Sequence, residues 1–221
     1  MTPRTNAKLT GFILLLYIVT AIISMILSRQ VLDGAETNAA ILVNIARHVS
    51  LVRLDIILTL LQAAYALVLG VSLYALTRHV DRDLAMIALC CRATEGVIIV
   101  ISTFKSLALL SVATDGADTV ASNTIADLLL KMESWIMLSS GTCFALGSTI
   151  YCYLFLRARS IPRPLTRLGV PASILLLIVV PLQLAGFINA SLTLIWIPML
   201  LFEVALAVWL LVKGVVVPLK Q

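Results

Sequence analysis

The chain has 221 residues, of which 61% are hydrophobic and 12% charged, with a net charge of +5. A soluble domain carries roughly twice that charged fraction, about 25%, so the composition is that of a membrane protein with little soluble mass. The positive excess lies in short loops between apolar segments, where it marks topology and not a nucleic-acid-binding face.

Crossing the hydrocarbon core takes about 20 mostly apolar residues. Six segments meet that length in chain order: 9–28, 51–76, 84–104, 129–155, 168–188 and 192–212. The first lacks a small-residue cleavage site and reads as a retained helix, with a cleaved signal peptide as the alternative. The expected fold is therefore all-α: a polytopic membrane protein with six transmembrane helices in a compact bundle. Residues 1–8 and 213–221 form tails around a 9–212 transmembrane domain.

Lysine and arginine divide unevenly between the two sides. One side collects Arg4, Lys8, Arg78, Arg82, Arg157, Arg159, Arg163, Arg167, Lys213 and Lys220, ten in all, against Arg29, Arg47 and Lys105 on the other. Positive charge stays inside, which places both termini in the cytoplasm.

The connections 29–50 and 105–128 carry local signals. Ile41, Leu42, Ile45 and Val49 form one helical stripe, predicting a helix that lies on the outer surface or caps the bundle. The strings "DGAETNA" (33–39) and "DGADTVA" (115–121) read as turns leading into helix N-caps, with a duplicated hairpin as the alternative. The basic, proline-rich turn "RARSIPRPLTRLGVP" suits topology fixation and contact with anionic lipid headgroups. Cys90, Cys91, Cys143 and Cys152 all fall in apolar segments without a CxxC pair and read as small buried thiols. No residue pattern calls for a metal or a cofactor.

The informative residues are the charges inside the apolar segments, because ionisable groups at membrane depth are costly and usually face a bundle interior or a wet cavity. Counting the helical rise, Glu95 and Glu203 each lie about 11 residues from a segment end, near the midplane. Arg92 shares the Glu95 face at i−3. Arg53 and Asp55 enter the second segment early, as Lys131 and Glu133 enter the fourth. This gives two tiers: Arg92, Glu95 and Glu203 at the centre, and Arg53, Asp55 and Glu133 near the outer mouth.

Polar stripes accompany them: Asp55, Thr59 and Gln62 on the second segment, and Arg92, Glu95, Ser102 and Ser106 on the third. Trp196 and Glu203 stand on one face of the sixth, with Pro198 between them, while Pro171, Pro181 and Gln183 interrupt the fifth. The simplest assembly has these stripes converge on one pocket open to the outside, lined by Arg53, Asp55, Arg92, Glu95, Glu133, Trp196 and Glu203. The plainer reading of each residue is structural. Arg92 would pair with Glu95 or Glu203 to lock helices, the outer charges would snorkel, and Trp135, Trp196 and Trp209 would form an aromatic belt. An unpaired midplane carboxylate is expected to hold its proton, as a general acid or a proton-coupled carrier requires.

The segments "LTGFILLLYIVTAI", "SLVRLDIILTLLQAAYALVLGVSLYALTRHVDRDLAMIALCCRATEGV", "YLFLRARSIPRPLTRLGV" and "EVALAVWLLVKG" resemble, in order and spacing, the bacterial integral-membrane family catalogued as domain of unknown function 4386. The likeness runs from about residue 9 to 214. It implies a compact six-helix bacterial membrane protein and no activity, so no role is carried over to any residue.

Three functions fit. The first is a pocket that binds or transports a small amphiphilic or polar molecule. The second is an intramembrane enzyme acting on a lipid or isoprenoid, with Glu95 and Glu203 as catalytic acid–base pair. The third is a structural or regulatory membrane subunit. No HxxxH, DDxxD, GxSxG or P-loop signature is present, which disfavours hydrolysis, metal chemistry and nucleotide use. The expected partners are membrane lipids and a small-molecule or lipid ligand, with no nucleic acid.

Overall fold

A computed structural model of the chain describes residues 3–35, 37–114, 119–189 and 192–214. The described residues are helical throughout and contain no strand. The helices are α1 (Pro3–Leu32), α2 (Asn38–Arg47), α3 (Val49–Thr77), α4 (Arg82–Thr114), α5 (Val120–Ala158), α6 (Arg163–Leu184) and α7 (Ile197–Val212), with a 3-10 turn at Thr193–Trp196 leading into α7.

Local chemistry sets the boundaries. The Thr37 hydroxyl accepts from the Ala40 amide at the start of α2, and Thr119 accepts from Ser122 at the start of α5. The two similar strings thus act as helix-start chemistry; Glu36 and residues 115–118 of them lie outside the described residues. Gly186, with φ of +81°, takes the left-handed turn that follows α6.

Six helices close a ring in chain order, α1–α3–α4–α5–α6–α7, with α7 returning to α1. Short connections make neighbours antiparallel. Inside the ring lies one apolar cluster that includes Leu14, Leu69, Phe144, Phe155, Leu176, Phe202 and Leu210. The outward faces of the helices stay apolar as well, with Phe12, Ile57, Val97, Phe104, Ile178 and Leu201 exposed. An apolar exterior around an apolar core is what a lipid-facing bundle requires.

The short α2 covers one end of the ring. Leu42 and Ile45 are buried on it, and Ile41 and Val49 pack beside them, so the expected stripe is a capping face. Beneath it Val31, Leu109, Leu110 and Ala126 form a second, smaller cluster.

Five helical stretches are long and apolar enough to cross a membrane: Arg4–Leu32, Val49–Thr77, Arg82–Thr114, Arg163–Leu184 and Leu194–Val212. The expected fourth segment, 129–155, falls within α5 and does not reach the same apolarity. Ser139, Ser140, Gly141, Thr142, Gly147, Ser148 and Thr149 dilute it. A second difference concerns α4, which continues to Thr114. Lys105, read from the sequence as a loop charge, is therefore a helical residue and is 8% exposed. Side chains packed at that end keep the helix going past the point where its hydropathy falls.

The ring closes where α1 meets α7. A methyl group at Gly11 would stand 2.7 Å from the Ala207 carbonyl oxygen, a backbone atom that cannot swing aside. Gly11→Ala is expected to cost about 1–3 kcal/mol through overpacking and to lower the thermal unfolding midpoint in detergent. Phe12→Ala, on the exposed face, should leave the midpoint nearly unchanged.

Candidate functional site

The centre of the ring is built around Arg92. It leaves α4 towards α3 and α5, and a glycine on α3 makes room for it. A methyl at Gly70 would meet Arg92 Cβ at 3.0 Å, and one at Gly147 would lie 3.6 Å from Arg92 Cδ. The residue is 2% exposed and Glu95, one turn along, is 1% exposed.

Arg92 Nη1 stands 2.8 Å from Glu95 Oε2. That contact is an ion pair, and Arg92 Nε is left without a hydrogen-bond partner. The other Glu95 oxygen is well served, because the Tyr17 hydroxyl of α1 donates to Oε1 at 2.8 Å. The guanidinium carbon lies 5.6 Å from the centroid of the Tyr17 ring and 5.0 Å from that of Phe144. Such cation–π contacts return roughly 0.5–2 kcal/mol each, a fraction of the cost of burying the charge.

Glu203 approaches from α7. It lines a cavity of about 30 Å³ together with Arg92, Ser148, Tyr151, Cys152 and Met199. Its carboxylate makes no hydrogen bond or ion pair among the described residues, yet Arg92 and Glu95 both lie within its electrostatic reach. The Tyr151 hydroxyl donates to the Gly70 carbonyl at 3.0 Å, leaving its oxygen free to accept from the cavity. The three charges of the central tier are thus brought together as expected.

The second tier separates. Asp55 accepts a short hydrogen bond from Ser24 of α1. Lys105 Nζ reaches Glu133 Oε2 at 3.2 Å. These groups line a cavity of about 60 Å³ with Ser28, Ser106 and a wall of leucines, below α2. Arg53 is not among them. Two residues from Asp55 it points the other way, and it is exposed in a surface depression beside Arg47, Leu54 and Ile57. Lys131 pairs on the exterior with Asp127 at 2.6 Å, and that hydrogen bond holds the Asp127 carboxyl below the usual carboxylate range.

The expected single pocket open to the outside is accordingly two small cavities at two depths. Trp196 also differs from expectation. The 3-10 turn breaks the helix that was to align it with Glu203, and its ring packs against Gly141 and 6.0 Å from Phe144. It supports the aromatic wall of Arg92 from behind. Several polar groups of the stripes are satisfied locally: Thr59 by the Asp55 carbonyl, Ser102 by Ile99, and Gln183 Nε2 by Asn189.

Sequence reasoning passed over Tyr17, Ser24 and Lys105. The first two had a signal, since Tyr17, Thr20, Ser24 and Ser28 fall at i, i+3, i+7 and i+11 on one face of α1. Lys105 had none beyond its charge, which ordinarily marks the end of a span. Among the described residues no group of three His, Cys, Asp or Glu side chains is gathered to hold a metal ion. What the centre does present is the unpartnered Arg92 Nε–H and the Glu203 carboxylate, with both residues lining one small space.

These contacts separate the roles of the two glutamates. Glu95→Gln leaves a buried guanidinium without its counter-charge and is expected to cost about 3–5 kcal/mol, seen as a large drop in thermal midpoint or loss of monodispersity. Glu203→Gln, which breaks no bond, should leave both nearly unchanged.

Comparison with curated proteins and with solved structures finds no match. The family model described as Domain of unknown function (DUF4386) matches residues 9–214, nearly the whole chain, and the protein belongs to that family.

Proposed function

We propose that this protein spans a bacterial cytoplasmic membrane six times, with both termini inside, and that its charged interior binds and passes a small polar or amphiphilic solute. The sixth span in this reading is α5. Its 39 residues extend for nearly 60 Å at the helical rise, and Thr142 and Thr149 return their hydroxyls to their own helix at Leu138 and Ala145. That lowers the cost of carrying them through lipid. The orientation rests on charge: Arg4, Lys8, Arg78, Arg82, Arg157, Arg159, Arg163, Arg167 and Lys213 gather at the end of the ring away from α2. The domain limits are 9–212 for the bundle, with 1–8 and 213–221 as tails.

The observation that carries the functional reading is the buried, unpartnered Arg92 Nε–H and a Glu203 carboxylate that makes no hydrogen bond among the described residues, both residues lining one small space. Buried polar groups are nearly always hydrogen-bonded, so a partner from outside the chain completes the arrangement. The second cavity sets polar groups, Asp55, Lys105 and Glu133, against a leucine wall. A polar head with an apolar body satisfies both. Neither space holds a drug-sized ligand, which takes about 300 Å³ or more, so passage requires the helices to part. Pro171 and Pro181 inside α6 are the weak points at which it would bend. An acid–base pair of Glu95 and Glu203 acting on a lipid is less well supported, because both oxygens of Glu95 are already engaged.

Thermal-shift measurements on the purified chain with alkyl amines, alkyl phosphates and free amino acids test the proposal. At least one class is expected to raise the unfolding midpoint, and Glu203→Gln and Lys105→Met should abolish that rise. If no class stabilises the protein, and both variants unfold as readily as Glu95→Gln, the charges serve packing alone and the protein is a structural subunit.

A further inference from the structure

The central tier does not balance. Fully ionised, Arg92 supplies one positive charge against the two negative charges of Glu95 and Glu203. The other titratable groups at the cavity, Tyr17 from α1 and Tyr151 and Cys152 from α5, are neutral when protonated. From α3 the cavity wall takes only Leu73, and α6 adds no residue to it. One net negative charge is therefore left, and its carrier Glu203 is half-buried at membrane depth. An uncompensated charge at such a depth costs several kcal/mol, so one positive charge must come from elsewhere.

A metal cation fits poorly. A hard cation takes about six oxygen ligands or more, whereas the cavity wall offers the Glu203 carboxylate, the Ser148 and Tyr151 hydroxyls, and a guanidinium that repels a cation. A proton needs only the Glu203 carboxylate and a route. At about 30 Å³ the cavity exceeds the roughly 10–15 Å³ that a water requires. A water there would accept from Arg92 Nε–H, which has no hydrogen-bond partner, and donate towards Glu203.

We propose that Glu203 is an exchangeable proton-binding site in the bundle interior, charged and discharged through water held in the cavity it shares with Arg92. In the charging step a hydronium proton passes through cavity water to a Glu203 carboxylate oxygen. An O–H bond forms on Glu203, one O–H bond of hydronium breaks, and water is released with no change of oxidation state. Glu95, held by Arg92 and Tyr17, stays ionised and keeps the guanidinium in place. Arg92 is thus a positioning residue for the water, and the proton sits across the cavity from it. This inference rests on the charges of the central tier and not on any solute, so the two proposals fail separately.

Infrared difference spectra of the full chain in liposomes, taken between about pH 5 and pH 9, above the ordinary carboxylate values of about 4, decide the matter. The unmodified protein is expected to show one pH-dependent protonated-carboxyl band that moves in heavy water. Glu203→Gln should lose it, Glu203→Asp should keep it at a shifted frequency, and Asp55→Asn should leave it in place. No such band in the unmodified protein overturns the proposal, as does the same band persisting in Glu203→Gln. Should Glu203→Gln fail to reconstitute, a band at the same frequency in Glu203→Asp overturns it equally. The solute screen is read on a different signal, so its failure leaves these spectra unaffected.

Discussion

The burial of the Arg92 guanidinium is the constraint around which this bundle is arranged. A permanent cation at 2% exposure has to be matched from several directions, and the neighbouring helices each contribute. α4 supplies Glu95 one turn away, α1 supplies Tyr17, and α5 supplies the face of Phe144. Gly70 on α3 gives up a side chain so that the arginine stem can pass. Replacing such a pair with apolar residues is often neutral for stability, while breaking it is not. Its presence here defines one register among α1, α3, α4 and α5, which apolar packing alone would leave degenerate.

The closed ring places that register at the centre. Because helices neighbour each other in chain order, every inward stripe reaches the same axis without a long crossing connection. The polar face of α1 joins the two levels: Tyr17 bonds the inner carboxylate, Ser24 bonds Asp55, and Ser28 stands on the outer cavity wall. The α2 cap then buries Leu42 and Ile45 over the outer level. The resulting interior is polar at two heights, with buried Thr20 and Thr103 between them.

Asymmetry between the two glutamates follows from the same geometry. Glu95 lies on the helix that carries Arg92, so the pair forms locally and is completed by one hydroxyl. Glu203 comes from the last helix and meets the pair only across a gap of a few waters' volume. One carboxylate is structural and the other is left available. No comparison with curated or solved proteins adds to that distinction; it comes from the contacts themselves.

Much of this was legible in the chain. Composition and apolar runs determine an all-helical membrane protein, since only helices satisfy their own backbone in lipid over such lengths. The Arg92–Glu95 pair and the α2 stripe are i+3 and i+4 relationships, and helical periodicity alone places them on shared faces. The Thr37 and Thr119 caps are local in the same way. The tertiary structure decided what depends on the rotation and length of each helix. It chose the Asp55 side of α3 as the inward one, which leaves Arg53, about 200° around the helix, outward, and it drew Lys105 into α4 against Glu133. It broke the last segment at Trp196 and set that ring behind Phe144. It also divided one expected pocket into two. A sequence specifies which face a residue shares with its own helix, but which neighbour that face meets is settled only by packing across the ring.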